Sequence, residues 1–353
     1  VPVEEIAKRL KVRYVVEGSV RRAGDQLRIT ASLIDTMSDT PIWTERFDGS
    51  SNNVFAFQDE ITGQIIAALR VQLTPAEQQA VEVRGTDNPA AYDAYLRGLR
   101  LLSARRRLDA EANKAAQAAF EESIRLDPDY ALAYAGLAWT KWLYIATINV
   151  YGGEEATQRA FEVAEKSLMI EDNALAHRTL AKKHFAFLTF YLKTTKKIDL
   201  AVTELEAAQR LQPNDADVIA DLAMALPFAG RPRDALKLIQ KARELNPNHP
   251  AWYFAASGVA YLLTEETELA IRDLERWVES TPNWNVPYMF LASAHGLAGQ
   301  TEAAKAALDR HAYLIQGAKM TFYSVKRQWP MAPAEEEIFI RGLRVAGMTD
   351  APG

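Results

Sequence analysis

The chain has 353 residues, 48% of them hydrophobic and 25% charged, a composition that excludes a disordered chain and suits two domains or a repeat array. Its formal net charge of -5 argues against nucleic acid or an anionic membrane as partner. The absence of cysteine excludes disulfides, thiolate metal sites and cysteine nucleophiles, and fits a cytoplasmic setting, the periplasm being compatible as well.

In chain order, VEEIAKRL (Val3 to Leu10) has the apolar spacing of a helix. VRYVVEGSVRR (Val12 to Arg22) and LRITASLIDT (Leu27 to Thr36) alternate and are rich in β-branched residues, so they read as strands, with Gly24 and Asp25 as the hairpin turn. PIWTERFD (Pro41 to Asp48) adds a third strand, and Asn52 or Asn53 is placed to cap a helix from Val54 to about Leu73. The expectation is a small α+β layer over residues 1–82. No charged-then-apolar leader follows Val1, and a helix ending by Leu10 would ordinarily pack on something earlier, so the layer is expected to begin upstream of Val1. Glu17, Glu45, Asp48 and Asp59 fall at strand ends and a helix start, where solvated faces and caps are the default, rather than as a pair for acid–base chemistry. Arg21, Arg22 and Arg28 flank the hairpin, as charges that protect a strand edge do.

Residues 83–91, VRGTDNPAA, read as a linker, after which strand character disappears. Pro213, Pro247 and Pro282 recur at intervals of 34 and 35 residues, and Ala235, Ala270 and Ala304 at 35 and 34, with Ile239, Leu274 and Leu308 keeping the same spacing. The segments ALAYAGLA at Ala131, ALAHRTLA at Ala174 and ADVIADLA at Ala216 also match one another. About six helix-pair units follow over residues 92–316. Small residues let the paired helices approach, large ones fill the gap, and proline ends the second helix. No unit buries its apolar face alone, so the units must stack. Trp277 stands in a slot expected to be small, which predicts a local shift between helices. The second and third units are stretched, around Thr147 to Gly153 and before Ala201. From Gln316 the pattern fails, and residues 317–353 read as a capping segment whose helix, Ala334 to Val345, starts on Glu335, Glu336 and Glu337. The apolar run Ala131 to Val150 carries Lys141 and belongs to a repeat, not to a membrane span.

These units resemble the tetratricopeptide repeat. The unit starting at Ala216 places Ile219, Leu222, Ala223, Leu226, Ala235, Ile239, Ala242 and Pro247 in the slots that family uses. The segment from Arg13 to Thr62 is similar to the module between an effector domain and such repeats in bacterial class III adenylate/guanylate cyclases and winged-helix regulators, where a further strand and helix precede it. The resemblance implies a mainly α fold, a tetratricopeptide-type α-solenoid preceded by a small α+β module.

Candidate chemistry is sparse. His177 and His184 lie seven residues apart on one helix, too far for one metal without a third partner. His177, His295 and His311 fall in packing slots, Arg105 to Arg107 read as solvated surface, and no GxSxG, HExxH, P-loop or DxDxDG pattern occurs. No catalytic residue, cofactor or metal is therefore expected. The resemblance implies that certain positions of the first helices line a concave groove: Trp139, Trp142, Arg178, Lys182, Phe185, Met224, Phe228, Trp252, Val259 and Met289. That groove is aromatic and apolar and departs from the family's Lys/Asn clamp for C-terminal carboxylates. The competing reading buries these side chains against neighbouring helices or the amino-terminal layer. The expected function is a non-catalytic scaffold that binds a protein or peptide partner, its own upstream effector domain among the candidates. The alternatives are the regulatory C-terminal part of a class III cyclase whose catalytic domain is absent from this chain, and the effector part of a winged-helix transcriptional regulator.

Overall fold

The computed structural model describes residues 3–10, 12–50, 54–69, 85–103, 110–147, 153–184, 198–317, 320–329 and 331–350. The chain divides into two compact units, Val1–Glu82 and Val83–Gly353.

The first unit contains α1 (Val3–Leu10), β1 (Tyr14–Ala23), β2 (Gln26–Asp35), β3 (Thr40–Ser50) and α2 (Val54–Leu69), the strands forming an antiparallel sheet in the order β1-β2-β3. Ala23 pairs with Gln26, which leaves Gly24 and Asp25 as a two-residue turn with Gly24 at φ 60°, a conformation that costs glycine little. The β2–β3 register shifts between Leu33 and Ile34, opposite Trp43 and Pro41, so the irregularity sits beside a proline that cannot donate to the ladder. One face of the sheet buries Ala31 and Phe47, with Ile29, Trp43 and Ile61 of α2 packed on them. The other face is polar: Arg28 and Arg46 both grip Asp48, at 2.5 and 3.1 Å. The hydrogen bond from Arg28 holds the Asp48 carboxyl below its ordinary value. Asp48 and Arg28 thus form a cross-strand ion pair, and Glu17 and Glu45 stand exposed. Asn52, Asn53, the side chain of Asp59 and residues 70–73 lie outside the described residues.

Among the described residues the second unit shows six helix pairs: α3 (Pro89–Ser103) with α4 (Ala110–Leu126), α5 (Ala131–Thr147) with α6 (Gly153–Ile170), and α7 (Ala174–His184) with α8 (Ile198–Leu211). They continue as α9 (Ala216–Ala225) with α10 (Pro232–Leu245), α11 (Tyr253–Leu263) with α12 (Thr267–Ser280), and α13 (Val286–Leu297) with α14 (Thr301–Leu314). Two further helices, α15 (Phe322–Gln328) and α16 (Pro333–Val345), complete it. The first helix starts inside the stretch expected as linker because Asn88 caps it, its Oδ1 accepting from the amides of Ala90 and Ala91 at 3.0 and 3.2 Å. Arg105 to Arg107 lie outside the described residues.

Close approach holds each pair together. Phe120 is fully buried, and a Cβ at Gly98 or Gly136 would fall within 3 Å of its ring, so two inner helices close on one aromatic side chain. Ala235, Ala270 and Ala304 are fully buried where α10, α12 and α14 meet their partners. Trp277 is accommodated by other aromatics, its ring edge-on to Trp284 at 5.5 Å and tilted against Phe290 at 6.2 Å. A polar clamp recurs as well. Ser123, Ser167 and His311, on the second helices of repeats one, two and six, bond the carbonyls of Ala91, Ala131 and Asn285 at the start of their own first helices, at 2.8, 2.7 and 2.9 Å. The chain is thus an α-solenoid of paired helices preceded in sequence by a small α+β unit.

Candidate functional site

The first helix of each pair carries the residues expected to line the inner face. On α5, Trp139 and Trp142 are three residues apart, so their indoles lie on one stripe and stack at 5.3 Å and 27°. On α7, Arg178 and Lys182 are four apart and lean over those rings, the Arg178 guanidinium 4.5 Å above Trp139 and the Lys182 ammonium 5.7 Å from Trp142. Both cations are anchored from behind by α9. Arg178 Nε donates to one oxygen of Asp221 at 2.6 Å and Lys182 Nζ to the other at 2.7 Å. Asp217 lies 3.6 Å from Arg178 and accepts from the Tyr253 hydroxyl at 2.8 Å. Four inner helices are thereby tied into one ladder.

Three charges of this ladder are nearly dry, with side-chain exposures of 12% for Arg178, 14% for Lys182 and 7% for Asp221. Burial pushes the Asp221 carboxyl up, but Lys182 and Arg178 together hold it below its ordinary value. Burial, helped by the neighbouring Arg178, pulls the Lys182 ammonium down against the pull of Asp221. The Tyr253 phenol is pushed far up, first by burial and then by Asp217. Such an arrangement fixes rings and charges in place; it has no nucleophile beside a base. Among the described residues, no cluster of three or more His, Asp or Glu is positioned for a metal, and no helix is long and apolar enough to cross a membrane.

The remaining predicted residues separate into two groups. Phe185 lies outside the described residues, and Trp252 is half-buried at the start of α11, edge-on to Tyr253 at 4.6 Å. Met224, Phe228, Val259 and Met289 are core, with Val259 and Met289 fully buried, and so do not face an open groove. The C-terminal segment packs into the same core cluster. Ala332 donates its amide to the Phe228 carbonyl at 3.2 Å, Phe339 stacks on Phe290 at 4.9 Å, and Ser293 Oγ bonds the Phe339 carbonyl at 2.8 Å. Gly342 meets Gly296 and Ser293 backbone to backbone, too close for a Cβ on either glycine. The segment expected as an end cap therefore folds back over the inner face of repeats four to six.

Sequence reasoning missed Asp217, Asp221 and Tyr253. A signal was present: the cation pair Arg178/Lys182 and the acid pair Asp217/Asp221 have the same spacing of four on successive first helices. The histidines are in part more than packing residues. His177 bonds Glu204 at 2.5 Å and Asp172 at 2.7 Å, and the Glu204 bond raises its pKa.

This fold and surface define a class, an α-solenoid of tetratricopeptide type with a small α+β unit before it. No protein-family model matches the sequence. A 136-residue stretch is 38% identical to putative adenylate cyclase 3 of Rhizobium meliloti (strain 1021), covering 38% of this chain and 23% of that protein. Similar solved structures include YrrB, described as a TPR protein with an unusual peptide-binding site, at 22% identity and TM-score 0.34 over 59% of this chain and 93% of that one. Pseudomonas aeruginosa pilF is similar at 16% identity and TM-score 0.41, over 70% of this chain and 96% of its own. The APC/C hetero-tetramer Cut9-Hcn1 is similar at 15% identity and TM-score 0.47, over 83% and 46% respectively.

Proposed function

We propose that the chain is a non-catalytic interaction scaffold that grips a peptide or amphipathic helix on the inner face of its second and third repeats. One observation carries this reading: the half-buried Trp139–Trp142 stack is held in a fixed orientation by Arg178 and Lys182, which Asp221 locks in turn. Rigid, pre-oriented aromatic side chains are the usual energetic centres of interfaces, because little rotamer entropy is lost on binding. The four ladder charges, Arg178 and Lys182 against Asp217 and Asp221, cancel, so the recognised element is apolar or aromatic rather than strongly charged. A displayed library of random 12-residue peptides tests this. The wild-type chain should enrich sequences rich in aromatic and leucine residues, and a Trp139→Ala/Trp142→Ala chain with unchanged helical circular dichroism should enrich none. Equal enrichment by both chains rejects the surface.

A second reading is favoured by the Rhizobium meliloti relative: the chain is a regulatory region of a nucleotide cyclase, whose own effector domain is then the partner of the inner face. Its test is the coding sequence upstream of Val1, where a class III cyclase domain is expected and a winged-helix domain would contradict it. Cyclic-nucleotide formation by these 353 residues alone would overturn the non-enzyme assignment.

A further inference from the structure

On repeats four to six the inner face is occupied by α16, which packs on α13. We infer that this face is a helix-docking site held closed by α16 as an intramolecular strap, and that the partner it excludes is an amphipathic helix presenting an aromatic, a glycine and a leucine on one stripe.

Placement is the first ground. Each first helix of the array packs on both helices of the unit before it, so a helix that merely ended the array would lie on α14 as well as on α13. Helix α16 packs chiefly on α13, with Phe339 and Gly342 against Ser293 and Gly296 of its inner stripe. It also reaches the Phe228 carbonyl in repeat four, and Arg341 pairs with Glu265 in the turn of repeat five. The segment therefore makes contacts in repeats four, five and six.

The chemistry of the seat is the second ground. Phe290 stands at its centre, 4.9 Å from Phe339 and 5.8 Å from Trp329, and Leu343 is fully buried. Gly342 lets the helix backbone touch the Ser293 carbonyl, where any larger residue would collide. An aromatic followed three residues later by glycine and then leucine is thus what the seat selects, and Phe339, Gly342 and Leu343 supply it.

The fastenings are the third ground. The ion pairs on the segment, Arg341–Glu265 and Lys326–Glu336, are partly exposed surface pairs that add little, so its seat rests on the apolar contacts of Phe339, Ile340 and Leu343, which another helix of the same pattern can replace. The Trp329 indole N–H is buried with no hydrogen-bond partner among the described residues, so leaving the seat lets it regain one from water. The strap is therefore a competitor that a better-matched helix displaces.

The test uses the full chain and a 15N-labelled synthetic peptide of residues 320–349 as the probe, followed by hydrogen-exchange mass spectrometry. The wild-type peptide should accelerate exchange of the chain's own residues 333–345 at least tenfold while residues 286–297 stay protected. A peptide carrying F339D and L343D should do nothing. In the full chain, Gly342→Ala places a methyl group against the Ser293 carbonyl and should tighten capture of the wild-type peptide at least tenfold by fluorescence anisotropy. If residues 333–345 exchange only together with residues 286–297 and the peptide changes neither, the helix is a permanent part of the core and the inference fails. Loss of the whole helical signal in Gly342→Ala also overturns it, because a strap leaves without unfolding its seat. Failure here leaves the Trp139–Trp142 proposal standing, since neither tryptophan touches the probe's seat.

Discussion

Replacing Asp221 by Asn tests the ladder most directly. The carboxylate receives two charge-assisted bonds, at 2.6 Å from Arg178 and 2.7 Å from Lys182, and its side chain is 7% exposed. Such bonds contribute roughly 1.5–3 kcal/mol each, and removing one partner of a buried ion pair costs about 3–5 kcal/mol because the other charge stays buried and unpaired. Asp217, at 3.6 Å from Arg178 and 44% exposed, recovers part of the loss for the arginine alone. The expected net cost is therefore about 3 kcal/mol, read from urea unfolding followed by circular dichroism. The control is the apolar triple variant Arg178→Met, Lys182→Met, Asp221→Leu. With no buried charge left, it should recover most of that loss, yet it should still fail to capture peptides because nothing fixes the indoles. A cost below about 1 kcal/mol for Asp221→Asn, or a triple variant as unstable as the single one, would refute the buried ladder.

Two further predictions concern stability. His177 has its pKa raised by Glu204, so the folded state prefers the imidazolium; that stabilisation is complete below the unfolded value of about 6.5 and is lost as pH rises through the higher folded value. His177→Gln should thus cost about 1.5 kcal/mol at pH 6 and progressively less toward pH 9, and a pH-independent difference in urea midpoints would contradict the assignment. Gly136→Ala places a methyl group within 3 Å of the Phe120 ring and should cost about 1–3 kcal/mol by overpacking. Phe120→Leu in the same chain should recover part of this, and strict additivity of the two losses would show that they do not share the slot.

The fold was legible because its determinants are local and repeated. Alanine in a close-packing slot, proline at a helix end and Gly24-Asp25 between alternating segments each specify structure within a few residues. The slot assignments held least well where a slot carried a polar side chain. His311 occupies a packing position, yet it bonds the Asn285 carbonyl as Ser123 and Ser167 bond their own first helices, and only three-dimensional alignment shows the three to be one clamp. Burial pulls the His311 pKa down, so this clamp uses a neutral imidazole. The grouping of Trp139, Trp142, Arg178 and Lys182 on successive first helices was legible, because their helix positions follow from the repeat. Met224, Phe228, Val259 and Met289 instead lie in a core cluster shared with Phe339 and Leu343 of the C-terminal segment, whose docking has no periodic trace in the sequence.

The two parts of the inner face solve one physical problem differently. An inner face of aromatic and aliphatic residues is an exposed apolar patch unless something covers it. On repeats four to six Val259 and Met289 are dry and share one core with Phe339 and Leu343 of the chain's own C-terminal segment. On repeats two and three the described part of the face is built from half-buried indoles under Arg178 and Lys182, which Asp221 holds in turn. A partner that binds only the charged half meets a surface already in its final geometry, and its affinity should be insensitive to substitutions in α16. A partner that spans both halves must first remove α16, so its apparent affinity falls by the fraction of molecules in which the strap is open. Gly342→Ala therefore separates the two classes: it strengthens the spanning partner and leaves the local one unchanged.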